Sequence, residues 1–243
     1  MEFLSSPEFW IALGQIIIID ILLGGDNAVV IALACRKLPP AQRTKGIIWG
    51  TAGAIILRVI LIAFAMTLLA LPFLKFVGAL LLVWIGVKLL APDEDGHGDI
   101  QTSDKLLAAI KTIIVADLVM SVDNVIAIAG AAQSSGEHQM LLIVLGLLIS
   151  IPIIVWGSQL VIKLMDKFPL IITLGGMLLG WIAGTMLISD PAVARLDAWT
   201  WVPKIPQTDT IKYAAGIAGA LLVLAIGKMV AARRPKVTHA PGV

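Results

Sequence analysis

The sequence predicts an all-α membrane protein of seven transmembrane helices, arranged as two inverted three-helix repeats plus one extra C-terminal helix. Three observations predict it: a shortage of ionic groups, seven long apolar runs, and acidic residues that recur at one fixed spacing.

The 243 residues are 59% hydrophobic and 14% charged, with a mean hydropathy of +0.98. A soluble domain is about half apolar and about a quarter charged, so this chain carries too few ionic groups to clothe a water-facing surface. Spans of roughly 20 residues each would use most of its length, leaving room for a single transmembrane domain over 1–243. The one cysteine, Cys35, excludes an intramolecular disulfide and a thiolate metal cluster. No basic segment precedes the first apolar run, which is therefore expected to be a retained helix rather than a cleaved signal.

The apolar runs fall at 9–34, 46–70, 73–90, 106–131, 141–163, 169–189 and 211–231. Between them lie Pro, Gly and charge: Pro39-Pro40, the acidic stretch around Asp93-Glu94-Asp95, Asp166–Pro169 and Asp190–Asp209. The tail from 232 to 243 is basic, contains Pro and is expected to be disordered. With seven spans, 13 of the 18 Lys and Arg fall on one side, four on the other, and Arg58 inside a span. Basic loops stay cytoplasmic, which predicts an outside N-terminus and a cytoplasmic C-terminus.

A shift of 97 residues lays Asp20 on Asp117, Asp26 on Asp123, Asn27 on Asn124, Gly78 on Gly175 and Trp84 on Trp181. The expected units are repeat one at 9–90, an acidic linker at 91–105, repeat two at 106–189, and a seventh helix at 211–231. Three spans per unit is an odd number, so the second unit enters the membrane upside down. Inverted repeats of this kind are a transporter architecture.

Asp20, Asp26, Asp117 and Asp123 all lie in otherwise apolar runs. A carboxylate there costs at least about 2 kcal/mol unless it faces the bundle interior, a cation or water, which points to an ion pathway. On a regular helix Asp20 and Asn27 would share a face, about 20° apart, while Asp26 would point some 120° away and lie roughly 9 Å along the axis. A continuous first helix would therefore not bring Asp20 and Asp26 to one small ion. Gly24-Gly25 offers a break that would free carbonyls as further ligands, or else a close helix contact. The fourth helix has Ser121-Val122 at the corresponding place.

The candidate ligands are thus Asp20, Asp26, Asn27, Asp117, Asp123 and Asn124. These hard oxygen donors suit Mg, Ca or Mn. His97, His138 and His239 fall in loops or the tail and are read as solvated, and Met66, Met120, Met177 and Met186 as packing. Arg58, central in the second run, requires an acidic partner, and its repeat counterpart is Val155. It is a candidate counter-ion for the carboxylates when no cation is bound; the competing reading is a fixed structural ion pair. Gly176, Gly180 and Gly184 mark a small-residue packing seam. Trp49, Trp84, Trp156 and Trp181 are expected at interfaces or in packing.

At Gly24-Gly25-Asp26-Asn27 and Ser121-Val122-Asp123-Asn124, and in the basic loop Arg36–Lys45, the chain resembles the TerC family of integral membrane proteins, from about residue 9 to 231. The resemblance implies a place among the LysE-type exporters and efflux of a divalent cation, Mn(II) first, across the inner membrane of a bacterium. The cation would be transported substrate, with no permanently bound cofactor.

The function expected is alternating-access export, with proton exchange following if carboxylates take up protons as the metal leaves. The expected surroundings are the lipid bilayer and the cation, with no nucleic acid; a homo-oligomer is compatible with the reading. No Gly-rich nucleotide loop is present and the chain is not expected to be an enzyme. The rival readings are a LysE-type exporter of amino acids or other small solutes and a passive cation channel; an intramembrane aspartyl protease fits less well, because it needs one acidic pair rather than two.

Overall fold

The computed structural model describes residues 7–64, 71–91, 102–132, 139–194 and 208–233, and the regular structure among them is helical. In chain order the helices are α1 (Pro7–Leu23), α2 (Gly25–Cys35), α3 (Pro40–Ala63), α4 (Leu74–Leu90), α5 (Thr102–Ala132), α6 (Gln139–Lys167), α7 (Leu170–Ile188), the single turn α8 (Pro191–Ala194) and α9 (Asp209–Arg233).

Local chemistry explains the boundaries. Pro39 is extended (φ −52°, ψ 142°) and Pro40 opens α3, where a missing N–H costs nothing. Pro72 precedes α4, whose N-cap Phe73 has φ 65°, the one positive φ outside glycine among the described residues. Asp190 holds that strained start in place: its carboxylate accepts the N–H of Phe73 and of Phe76, each at 3.0 Å, and the N–H of Ala192 at 2.6 Å. At the opposite end of α4, Arg36 Nη2 donates to Leu89 O at 3.0 Å and Lys37 Nζ to Ala91 O at 2.7 Å, cations on the last free carbonyls.

The burial pattern is inverted relative to a soluble domain. Asp20, Asn27, Arg58, Asp117, Ser121, Ser150 and Asp190 are buried, while Leu22, Trp49, Trp156 and Leu170 are each more than 60% exposed. That is the pattern of a bundle whose outer solvent is hydrocarbon. By length and apolar composition four helices among the described residues can cross a membrane: Pro40–Ala63, Met140–Lys167, Leu170–Ile188 and Asp209–Arg233. The pair Phe9–Leu23 and Gly25–Cys35, bent by 49°, makes a fifth. The seven expected spans exceed this count; α4, at 17 residues, and α5 stand outside it.

Two apolar clusters hold the bundle. One joins Leu33, Ile47, Leu82, Ile85, Ile113 and Leu179; the other joins Leu13, Ile16, Ile55, Ile128, Leu142 and Leu147. α1 and α2 pack on α5 and α6, α3 on α5, and α4 on α7. α9 packs on α7 and α4. The glycine seam of α7 is divided between two neighbours. A Cβ on Gly180 or Gly184 would collide with the backbone of α9 at Gly219 and Ala215, whereas one on Gly176 would meet Leu90 of α4. Trp181 lies over Gly216, while Trp49, Trp84 and Trp156 face outward. Met120 and Met186 are core residues. The three histidines, Met66, most of the acidic linker and the tail from 234 lie outside the described residues.

Candidate functional site

The first apolar run is not one helix. It breaks at Gly24 (φ −96°, ψ 0°), and α2 begins at Gly25. A Cβ on Gly24 would collide with the carbonyl oxygen of Asp20, so the break requires glycine there, whereas a Cβ on Gly25 would meet nothing within 4 Å. Gly24 therefore serves backbone geometry, with Ile154 of α6 only in ordinary contact range, and Gly25 meets no neighbour. α5 runs unbroken through Ser121-Val122.

Asp26 opens the first turn of α2, where its Oδ1 accepts the Asn27 N–H at 2.8 Å. From α5, Asn124 Nδ2 lies 3.5 Å from the Leu23 carbonyl just before the break. Asn27 is 3% exposed, and neither atom of its side-chain amide has a hydrogen-bond partner. An unpaired buried amide is costly, which marks the start of α2 as a place able to receive a ligand.

Asp20 and Asp117 meet elsewhere. Arg58, buried on α3, donates from Nη1 to Asp20 Oδ1 and from Nη2 to Asp117 Oδ1. Its Nε donates to Ser121 Oγ at 3.0 Å, and that hydroxyl donates to Asp117 Oδ2 at 3.0 Å. Ser150 on α6 completes Asp20 by bonding Oδ2. Its oxygen also lies 2.9 Å from Leu147 O, but a hydroxyl has one proton and the carboxylate is the stronger acceptor. Helices α1, α3 and α5 thus meet at one guanidinium, and α6 joins them through Asp20.

The six expected ligands therefore divide. Asp20 and Asp117 are drawn together by Arg58. Asp26, Asn27 and Asn124 gather at the helix break. Asp123 is on α5 one residue before Asn124, with its side chain outside the described set. Among the described residues no three carboxylate, His or Cys side chains form a group that could hold a metal ion. The physical reason at Asp20 and Asp117 is plain: a guanidinium stands between them.

Sequence reasoning missed Ser121 and Ser150 as partners of these carboxylates, and Asp190 as a cap. Ser121 was legible in principle, one helical turn after Asp117 on the same face. Ser150 carries no such local signal, because it meets Asp20 only through tertiary packing. Asp190-Pro191 has the pattern of an acidic residue before a helix start.

These features define a class: an all-helical, multi-pass integral membrane protein that encloses a charge network among its helices. Within that class, the chain belongs to the integral membrane protein TerC family, which it matches over residues 5–235. It is 46% identical over 191 residues to the uncharacterized membrane protein YjbE of Bacillus subtilis, a match spanning 79% of this chain and 85% of that one. It is 30% identical over 191 residues to the uncharacterized membrane protein YceF of the same organism, spanning 75% and 72%. The UPF0053 inner membrane protein YgdQ of Escherichia coli K12 is 29% identical over 147 residues, or 54% of this chain and 62% of that one. No solved structure matches the chain.

Proposed function

We propose that this chain is a carrier, not an enzyme, that exports a divalent metal cation, Mn(II) first, across the bacterial inner membrane by alternating access. The observation that carries the reading is the convergence of Asp20 and Asp117 inside an apolar bundle, beside a broken helix whose start buries an unpartnered amide at Asn27. Buried ionisable groups with a broken helix next to them are the parts of an intramembrane ion site. The cargo ligands in this reading are Asp20, Asp26, Asn27, Asp117, Asp123 and Asn124, with the Leu23 carbonyl at the break as a further oxygen donor. An all-oxygen set of this kind suits Mn, Mg or Ca. The choice of Mn(II) among these ions, and of a LysE-type plan, rests on the resemblance to the TerC family alone.

Seven spans in two inverted repeats remain the architecture we favour. At about 1.5 Å per residue α4 reaches roughly 25 Å, close to the hydrocarbon thickness, so it can serve as a span. The packing also suits an exchange of repeats: α1 and α2 lie on α6 as α3 lies on α5, and α4 lies on α7. The basic side, including Arg36–Lys45, is placed in the cytoplasm by the positive-inside rule. Exchange for protons follows from charge balance among the carboxylates when the metal departs.

The test is Mn(II) efflux from proteoliposomes carrying the native chain, Asp26→Asn or Asp123→Asn. Native efflux that either substitution abolishes, with the protein still folded, supports the site. Normal transport by both variants removes the site, and a native chain that moves no divalent cation removes the function.

A further inference from the structure

We propose, resting on the cation-export reading above, that Arg58, Ser121 and Ser150 form a lock that competes with the cargo for Asp20 and Asp117, so that a divalent cation enters only as the guanidinium is displaced.

Position is the first argument. All four oxygens of the two carboxylates already accept a hydrogen bond: Oδ1 of each from Arg58, Oδ2 of Asp20 from Ser150, and Oδ2 of Asp117 from Ser121. A cation that bridges the two Oδ1 atoms would have to stand where the guanidinium does, and it would be repelled by it. The two cannot be bound together.

Charge is the second argument. One guanidinium faces two buried carboxylates, so the lock leaves one negative charge uncompensated in a medium that penalises it. A divalent cation in the same place would balance both once the guanidinium had moved away from them.

The third argument is the way these residues break the repeat. At the 97-residue offset the candidate ligands match: Asp20 with Asp117, Asp26 with Asp123, Asn27 with Asn124. The lock residues do not. Arg58 is matched by Val155, Ser121 by Gly24, and Ser150 by Gly53. Each carboxylate thus receives one serine hydroxyl, but from different directions: Asp117 from its own helix four residues on, Asp20 from α6 across the bundle. A single guanidinium between two matched carboxylates leaves no room for a second, which explains why the partner position holds an apolar residue. In a carrier whose two repeats exchange conformations, symmetric groups serve the cargo in both states, and asymmetric groups stabilise one. Arg58, Ser121 and Ser150 are of the second kind.

The experiment is Mn(II) titration of the purified full-length protein in detergent, with free Mn(II) read by electron paramagnetic resonance, for the native chain and Ser121→Ala, Ser150→Ala, the double serine variant and Arg58→Lys. Ser158→Ala is the control, because that buried hydroxyl bonds only Ile154 O of its own helix. A lock predicts tighter binding: about threefold to tenfold for each serine, more for the pair and for Arg58→Lys, because weakening the competitor raises the share of molecules able to accept cargo. The control binds as the native chain does. Weaker binding by the serine variants overturns the proposal and makes the hydroxyls cargo supports instead. Unchanged binding by all of them overturns it by showing that the lock does not compete. A native chain that binds no divalent cation sinks the export reading and the lock together, an outcome distinct from the other two. If Arg58→Lys fails to fold, the serine variants, which keep every charge, decide the matter.

Discussion

Asp20 and Asp117, 97 residues apart in the chain, are held by the two terminal nitrogens of one guanidinium, that of Arg58. The arrangement joins α1, α3 and α5 through charge, and Ser150 adds α6. Removing the cation should therefore do more than remove a contact. Arg58→Leu leaves two carboxylates buried without a counter-charge, a loss of about 3–5 kcal/mol. Thermal unfolding in detergent should show a large drop, and Asp20→Asn combined with Arg58→Leu should recover part of it. A variant as stable as the native chain would refute the view that these charges depend on one another.

Cargo binding should stabilise the folded protein. At a Mn(II) concentration a hundred times its dissociation constant the gain is about 2.7 kcal/mol, visible as a rise in melting temperature. Asp26→Asn should lose most of that rise while melting normally without metal, because Asp26 is partly exposed and has one described hydrogen bond, from the Asn27 N–H.

The two glycines at the break should respond differently. Gly24→Ala puts a methyl group against the Asp20 carbonyl, so it should lower stability and transport together. Gly25→Ala meets open space at a helix start and should be near neutral in both. Measuring the pair separates a requirement for the backbone turn from a general requirement for small residues; equal effects would argue against the turn.

Asp190→Ala should cost about 1–3 kcal/mol, because the N–H groups of Phe73 and Phe76 lose their acceptor at a strained helix start. Asp190→Asn should cost less, since one amide oxygen can still accept. Unfolding in detergent checks the order of the two.

Gly180→Leu should displace α9 from α7, because at this point the two backbones touch through Gly180 and Gly219. Paired cysteines placed across the seam would cross-link readily in the native background and poorly in this variant.

Much of this was legible in the chain. The apolar runs, the buried acids and the glycine seam follow from residue type and spacing, since hydrocarbon tolerates few alternatives to a helix whose polar groups turn inward. The pairing of Arg58 with buried aspartates was also legible, because an arginine in an apolar run needs an anion. Legibility stopped at geometry. Two adjacent glycines in an apolar run do not say whether they break a helix or pack one, and the collision of a Gly24 side chain with Asp20 is visible only in three dimensions. Ser150 was illegible for a similar reason: a serine in an apolar helix ordinarily bonds its own backbone, and nothing local marks the one that meets a carboxylate from another helix.

The sequence by itself determined that the protein lives in a membrane, that its spans are helical and that two sets of acids recur at one offset; those conclusions rest on solvation energies and periodicity, which belong to the chain. Only the tertiary structure decided that Asp20 and Asp117 share one guanidinium while Asp26, Asn27 and Asn124 gather at a helix break. Which charges meet depends on how four helices cross, and helix crossing is set by packing among side chains distant in sequence.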